Sequence, residues 1–370
     1  MNILELCLSS GLGGLELYVF RASKELCDNN TVTALTLENG KLDSYFKEHS
    51  DISRTHLNRS KNPLPILNAF KLAKIIDDKD IDLIHMHWGK DFALAALAKK
   101  LSKRKPKLVY TRQMMITRYK NDLYHRFLYA QLDLLITITK QLESLYEKFT
   151  TLNSSRIKTL YYGVKSPSDY LDKEQITTIR ASKGFTQTDF IVGLFGRLED
   201  GKGQHLLIKA LAKAKKNQQN IKALIVGHEM DTGYLDELKS LAKEYGVHEN
   251  ITFNDFVDNP QELMQVCDCV CLTTYEETFG LVLPEAMRAG VSVIGSNKGG
   301  VPEIIDHEHT GLLFESKDSD DLYQQISRLY TEPELKATLA KKGKGKADSI
   351  FDNDLHFNEL EKTLKDVLSR

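Results

Sequence analysis

The sequence lacks any run of about 20 consecutive apolar residues, so no membrane-crossing helix is expected. Its first residues, MNILELCLSS, carry Glu5 and no basic lead, unlike a secretory signal. It also lacks a dominant charge: 50 Lys and Arg face 51 Asp and Glu, a net charge of −1. No global basic excess points to nucleic acid. Cysteine is scarce, with five residues at positions 7, 27, 267, 269 and 271. An odd, small count argues against a disulfide framework and for a reducing, cytoplasmic setting, with at most peripheral attachment to a membrane. Cys267-Asp-Cys-Val-Cys271 has no second ligand group at a zinc spacing, so it reads as a buried strand of small apolar thiols. Short-period repeats and low-complexity tracts are also lacking.

What is present is ordinary globular material: 370 residues, 41% hydrophobic and 27% charged. At ~150 residues per domain, two domains are expected. NILELCL, TVTALTL, DLIHMHW, KLVYT and DLLITI read as strands, interleaved with amphipathic stretches such as LNAFKLAKIIDDK. The second half repeats the logic with FIVGLFG, IKALIVG, NITFND, CDCVCLT and VSVIGS. Strands alternating with helices imply βαβ units and parallel sheets. The polar segment after Val164, holding Pro167 and Gly184, sets a boundary near residue 165. The expected fold is α/β: two Rossmann-like doubly wound domains, 1–165 and 166–351, facing a cleft. Ligands of such sheets bind beyond the carboxyl ends of the strands.

Three stretches carry candidate chemistry. In TYEETFGLVLPEAMRAG, Pro284 is tolerated only in the first turn, so a helix should start near Gly280 and end at Gly290. Its free N–H groups make an anion site, and Gly280 lets a phosphate approach the backbone. Glu277 and Glu285 flank that phosphate, and carboxylates accept paired hydrogen bonds from vicinal sugar hydroxyls. The bland alternative is a capping acid and a surface glutamate. In GLFGRLEDGKGQ, Gly196 to Lys202 begins like a phosphate loop, but position 203 is Gly where Ser or Thr would bind Mg²⁺. An ATPase is therefore not expected. Arg197 and Lys202 remain as cations suited to a diphosphate neutralised without metal, or as solvated loop residues. SSGLGGLE, after the first strand, offers a Gly-rich turn but not the dinucleotide fingerprint, because position 16 is Glu.

Other strings are weaker. Asp80-Ile-Asp82 reads as a turn and strand start rather than a metal site. His85 and His87 bracket Met86 at a strand end; a zinc pair is unsupported, and His87 is either a substrate contact or structural. Lys99, Lys100, Lys103, Arg104, Lys105 and Lys107 form a solvated face or attract anionic lipid. RQMMITRYKNDLYHRFLY is an interfacial patch or helix core plus surface.

Together, GGLE, GRLEDGKG, ETFGLVLPEAMRAG, GGVPEII and TGLLF, in this order over nearly the whole chain, resemble the family-4 retaining glycosyltransferases with the GT-B fold, of the bacterial cell-surface polysaccharide and lipopolysaccharide type. The resemblance implies that Arg197 and Lys202 hold the donor diphosphate and that Glu277 meets the donor sugar. It implies that Thr278, Phe279, Gly280 and Leu281 line sugar and phosphate, and that Glu285 binds the ribose. Gly13 and Gly14 would approach the phosphate, and Val257 would lie by the base. The C-terminal helix, 352–370, would pack back on the N-terminal domain. Family members often carry a histidine after the strand KLVYT; here Thr111-Arg112-Gln113 stands there, so Gln113 is the candidate replacement, with Arg112 and His125 as alternatives. Glu16, His87 and Arg112 are the acceptor-side candidates. The implied reaction moves a sugar from a UDP- or GDP-sugar to a glycan or lipid-linked acceptor, in lipopolysaccharide, O-antigen or capsule synthesis. No metal, no other cofactor and no nucleic acid are expected, and contact with an anionic membrane is. A nucleotide-sugar epimerase, a phosphorylase and a non-catalytic nucleotide-sugar-binding protein share the fold and stay open.

Overall fold

Apolar runs such as NILELC and FIVGLF cannot leave a face to water, so they fold as parallel strands covered on both sides by helices. The computed structural model describes residues 1–60, 64–230 and 232–370. They form two units, Met1–Tyr161 with Asp354–Arg370, and Tyr162–Asn353.

Unit 1 holds β1 (Asn2–Cys7), β2 (Thr31–Thr36), β3 (Ser53–His56), β4 (Leu83–Met86), β5 (Lys107–Arg112), β6 (Leu134–Thr137) and β7 (Ile157–Thr159). They pair in the order β3-β2-β1-β4-β5-β6-β7. Unit 2 holds β8 (Phe190–Phe195), β9 (Ile221–Val226), β10 (Ile251–Asn254), β11 (Cys269–Leu272), β12 (Ser292–Ser296) and β13 (Leu312–Phe314), in the order β10-β9-β8-β11-β12-β13. Both are doubly wound. The strand order reverses between β1 and β4 in one sheet and between β8 and β11 in the other, which is where such sheets open a crevice for ligands.

The helix Gln204–Lys216 shows how the covering layers are held. Leu206, Leu207, Ala210, Leu211 and Ala214 recur at helical spacing and are buried against Leu194 and Ile225 of the sheet. The last helix, Asn353–Leu368, buries Phe357, Leu360, Leu364 and Val367. From Asp354 onward it belongs to unit 1, where Tyr18 meets His356 at 2.9 Å, Asn30 donates to Glu361 at 2.8 Å and Lys158 to Glu359 at 2.6 Å. No helix among the described residues is long and apolar enough to cross a membrane.

Candidate active site

The first candidate constellation is built in unit 2 on loops that leave β8 and β11, the pair at the strand-order reversal. After β8 the chain passes Gly196 and the exposed Arg197, which pairs with Glu199 at 3.1 Å, then a short turn Asp200–Lys202. Gly203 follows with φ +70°, and a Cβ there would lie 2.4 Å from the Thr273 carbonyl oxygen. That close approach locks the β8 loop onto the β11 loop. Thr273 Oγ1 donates to the Lys202 carbonyl at 2.7 Å, and the Tyr275 N–H donates to the Gly201 carbonyl at 3.1 Å. Gln204 Nε2 donates to the Arg197 carbonyl at 2.8 Å.

So positioned, Lys202 Nζ lies 2.7 Å from Glu277 Oε2, with each side chain 22% exposed. The two residues are 75 positions apart, and nothing in the sequence announces their pairing. Glu277 is fixed from behind by the GGVPEII stretch. The Gly300 N–H donates to its carbonyl at 2.8 Å, and at Gly299, φ +67°, a Cβ would lie 2.0 Å from that same oxygen. Phe279 is buried edge-on against Tyr162 and Phe351, with ring centroids 5.3 and 5.8 Å away. The helix that follows is shorter than the spacing suggests: it spans Val282–Arg288, because Gly280 takes φ +98° and Leu281 serves as the N-cap. Glu285 lies half-buried in its first turn, and Thr278 and Leu281 are half-buried beside it. Val257 is half-buried between β10 and the helix Pro260–Gln265.

Unit 1 distributes its candidates differently. Gly13 has extended backbone and caps the helix Gly14–Leu26, while Glu16 turns back and its Oε2 accepts the Gly13 N–H at 2.9 Å. Glu16, expected on the acceptor side, is thus a buried capping residue. His87, expected there too, is fully buried as well. Its Nε2 meets Glu5 Oε2 at 2.5 Å, and His85 Nδ1 meets Glu5 Oε1 at 2.9 Å. His85 Nε2 also meets Thr111 Oγ1 at 2.7 Å. The parallel register puts Glu5 directly opposite His85, so the two meet inside the sheet layer. Burial pushes His87 down to about 4, together with the charge of His85. Burial works against the Glu5 carboxylate, but the charges and hydrogen bonds of both histidines outweigh it and hold the pKa near 2. Glu5, His85 and His87 offer ligand atoms within 4.8 Å of one another and are all buried; both Glu5 oxygens and both His85 nitrogens are taken by neighbours, while His87 Nδ1 has no partner among the described residues. Arg112 donates to the Met114 and Met115 carbonyls and to Tyr110 Oη at 2.6, 2.9 and 2.7 Å. Gln113 Nε2 is buried with no partner among the described residues.

The remaining strings resolve locally. Cys267, Cys269 and Cys271 are buried around β11, and burial pushes Cys271 up to about 12. Arg104 bridges Asp80 and Asp82 at 3.0 and 2.8 Å, so that pair is an ion-paired strand start. Lys99 pairs with Asp133, and only part of the basic cluster is unneutralised.

Two family models cover the chain. "Glycosyltransferase Family 4" matches residues 12–166, and "Glycosyl transferases group 1" matches 175–346. Among curated proteins, the N-acetyl-alpha-D-glucosaminyl L-malate synthase of Bacillus anthracis is 26% identical over 83% of this chain and 80% of its own length. A Campylobacter jejuni N-acetylgalactosaminyltransferase acting on a diphospho-undecaprenol glycan is 27% identical over 62% of this chain and 60% of its own. Among solved structures, Anabaena HepE in complex with UDP superimposes with a TM-score of 0.88 at 24% identity, covering 99% of this chain and 100% of that one.

Proposed function

The chain belongs to the family-4 glycosyltransferases with the GT-B fold, and on that premise we propose that it moves a sugar from a nucleoside diphosphate sugar to a hydroxyl of a glycan or lipid-linked acceptor. The observation that carries this reading is the Lys202–Glu277 pair, held at 2.7 Å at the strand-order reversal of unit 2 with Arg197 nearby in the same loop. A diphosphate needs the cation and a sugar needs the carboxylate, and the two loops present both from one locked backbone.

In the proposed reaction the bond from the anomeric carbon to the diphosphate oxygen breaks. A bond from the same carbon to the acceptor oxygen forms on the same face, so configuration is retained. The acceptor proton passes to the leaving phosphate oxygen. Charge grows on that phosphate, and Lys202 and Arg197 neutralise it, so the proposal assigns no metal ion to this step. Glu277 holds sugar hydroxyls and keeps Lys202 pointed at the phosphate. Gly280 and Leu281 line the phosphate, and Glu285 and Val257 hold the nucleoside.

The proposed setting is the cytoplasmic face of an anionic membrane, in cell-surface glycan synthesis. The segment around Met114, Tyr119 and Leu123, exposed by 53, 60 and 85%, lies between Arg112 and Arg126 and supplies both apolar and basic contact.

The test is a thermal-shift panel of UDP-, GDP-, ADP- and CMP-sugars with and without EDTA. One nucleotide class at 100 times its dissociation constant should add ~2.7 kcal/mol of stability, unaffected by EDTA. Lys202→Ala should erase that shift and lower transfer ~100-fold, equivalent to ~3 kcal/mol in the transition state. A variant that keeps both full shift and full turnover overturns the assignment.

A further inference from the structure

A cavity lies wholly within unit 1, with a volume of about 310 Å³. Its walls come from the segments that follow β3, β4 and β5, and they include Arg59, Lys90, Asp91, Lys120, Tyr124 and His125. This places it beyond the carboxyl ends of the strands, where doubly wound sheets take ligands.

The charge at this cavity is one-sided. Arg59 and Lys90 rest on the ring of Trp88, 4.6 and 5.1 Å from its centroid. Lys120 is half-buried, and its backbone N–H is tied to the Phe149 carbonyl at 2.7 Å. Among the described residues none of these three cations has a carboxylate within ion-pair distance. Burial and the neighbouring charges of Arg112 and Arg118 lower the pKa of Lys120, which marks a crowd of positive charge without a counter-ion. His125 is taken by Asp122 at 2.6 Å. The acid in the wall is Asp91. It is buried, its Oδ2 accepts the Leu8 N–H at 2.8 Å, and burial pushes it up to about 7. Near neutral pH it is therefore only partly ionised and offers the cations less than one full charge. A solvated surface would scatter such cations among acids; here they converge on a hollow that can hold a group the size of a sugar phosphate.

We propose that this cavity seats the acceptor and that the acceptor carries a phosphate or diphosphate group, held by Arg59, Lys90 and Lys120. A single carboxylate would be satisfied by one guanidinium fork. Three separate cations, two of them lysines acting as point charges, suit the higher charge of a phosphate. The assignment as an acceptor seat rests on the glycosyl-transfer reading; the anion chemistry of the cavity does not. The phosphate can belong to a water-soluble sugar phosphate or to a lipid. Leu64, Leu67 and Leu123, each next in sequence to a lining residue (Pro65, Asn68 and Tyr124), are exposed by 48, 78 and 85% and are compatible with a lipid tail.

Titration calorimetry of the full chain with inorganic diphosphate tests this. Two classes of site are expected. Arg197→Ala with Lys202→Ala should remove the unit 2 class, and Arg59→Ala with Lys120→Ala should weaken the other by about tenfold or more. Lys90→Ala, on the exposed rim, gives a smaller loss in the same class and serves where the double variant does not fold. Diphosphate binding unchanged by the unit 1 variants, or L-malate bound as tightly as diphosphate, overturns the inference. If instead the Arg197 and Lys202 variant keeps both classes, the donor-site reading fails and this one stands. Phosphatidylcholine vesicles carrying geranylgeranyl diphosphate separate the sources. Pelleting that inorganic diphosphate competes away assigns a lipid phosphate. Diphosphate binding without pelleting assigns a soluble one.

Discussion

Single residues here take their roles from what surrounds them more than from what they are. His87 and Asp91 are four positions apart, and sequence reasoning singles out the histidine. Yet His87 is buried with its Nε2 on Glu5 inside the sheet layer, while Asp91 forms the wall of a cavity. Nothing in WGKD marks that aspartate, because its hydrogen-bond partner, the Leu8 N–H, lies 83 positions away in the chain. Asp91 has a testable signature. Its pKa rises from the ordinary 3.8 to about 7, chiefly through burial. Between those values the folded chain keeps a proton that the unfolded chain has released. Stability must therefore fall as pH rises from about 4 to about 7. The full cost, as much as ~4 kcal/mol, is present above pH 7. Asp91→Asn keeps an oxygen for the Leu8 N–H and removes the ionisation. Urea denaturation should show the variant gaining on the parent chain as pH goes from 4 to 8. An equal difference at both ends would mean that Asp91 is already ionised in the folded chain.

At the scale of elements, ten strands read directly from their apolar runs, and three others do not. Ser53–His56, Ile157–Thr159 and Leu312–Phe314 are edge strands of three or four residues; SRTH and IKT carry no apolar run, and LLF offers only three residues. The candidate site was legible as two glycine-rich segments after strands β8 and β11. Their interlock was not, because it is made by hydrogen bonds to backbone carbonyls between residues some 70 positions apart, such as Thr273 to Lys202 and Tyr275 to Gly201. Gly203 is the tightest point of that interlock. Gly203→Ala would put a methyl group 2.4 Å from the Thr273 oxygen at φ +70°, and both loops must shift to admit it. The expected cost is ~2 kcal/mol in unit 2. Gly201→Ala, two residues earlier, meets nothing within 4 Å and has ordinary φ, so it should cost less than ~0.5 kcal/mol. Chemical denaturation of both variants reads the contrast. Equal stabilities would mean that the loops are not locked as described.

For the whole molecule, the order of the chain matters as much as the sheets. Unit 1 is discontinuous: it is completed by residues 354–370, which follow all of unit 2. The amphipathic period of that tail was visible in LHFNELEKTLKDVLS, but its partners were not, since Tyr18 and His356 are 338 positions apart. The tail buries Phe357, Leu360, Leu364 and Val367, and at ~2 kcal/mol for each side chain this contributes roughly 8 kcal/mol. A domain's net stability is about 5–15 kcal/mol, so unit 1 should not survive without the tail. Unit 2 keeps its own core of Leu194, Leu207, Ile225 and Leu322, none of which the tail supplies. A chain ending at Asn353 should therefore lose the unit 1 transition in a melting experiment and keep that of unit 2. Proteolysis should then leave a fragment close to residues 162–353, and the nucleotide sugar that stabilises the full chain should still delay its melting wherever donor recognition is confined to unit 2. A truncated chain that melts like the parent would show that the final helix only decorates unit 1, and the core assigned to it here would be wrong.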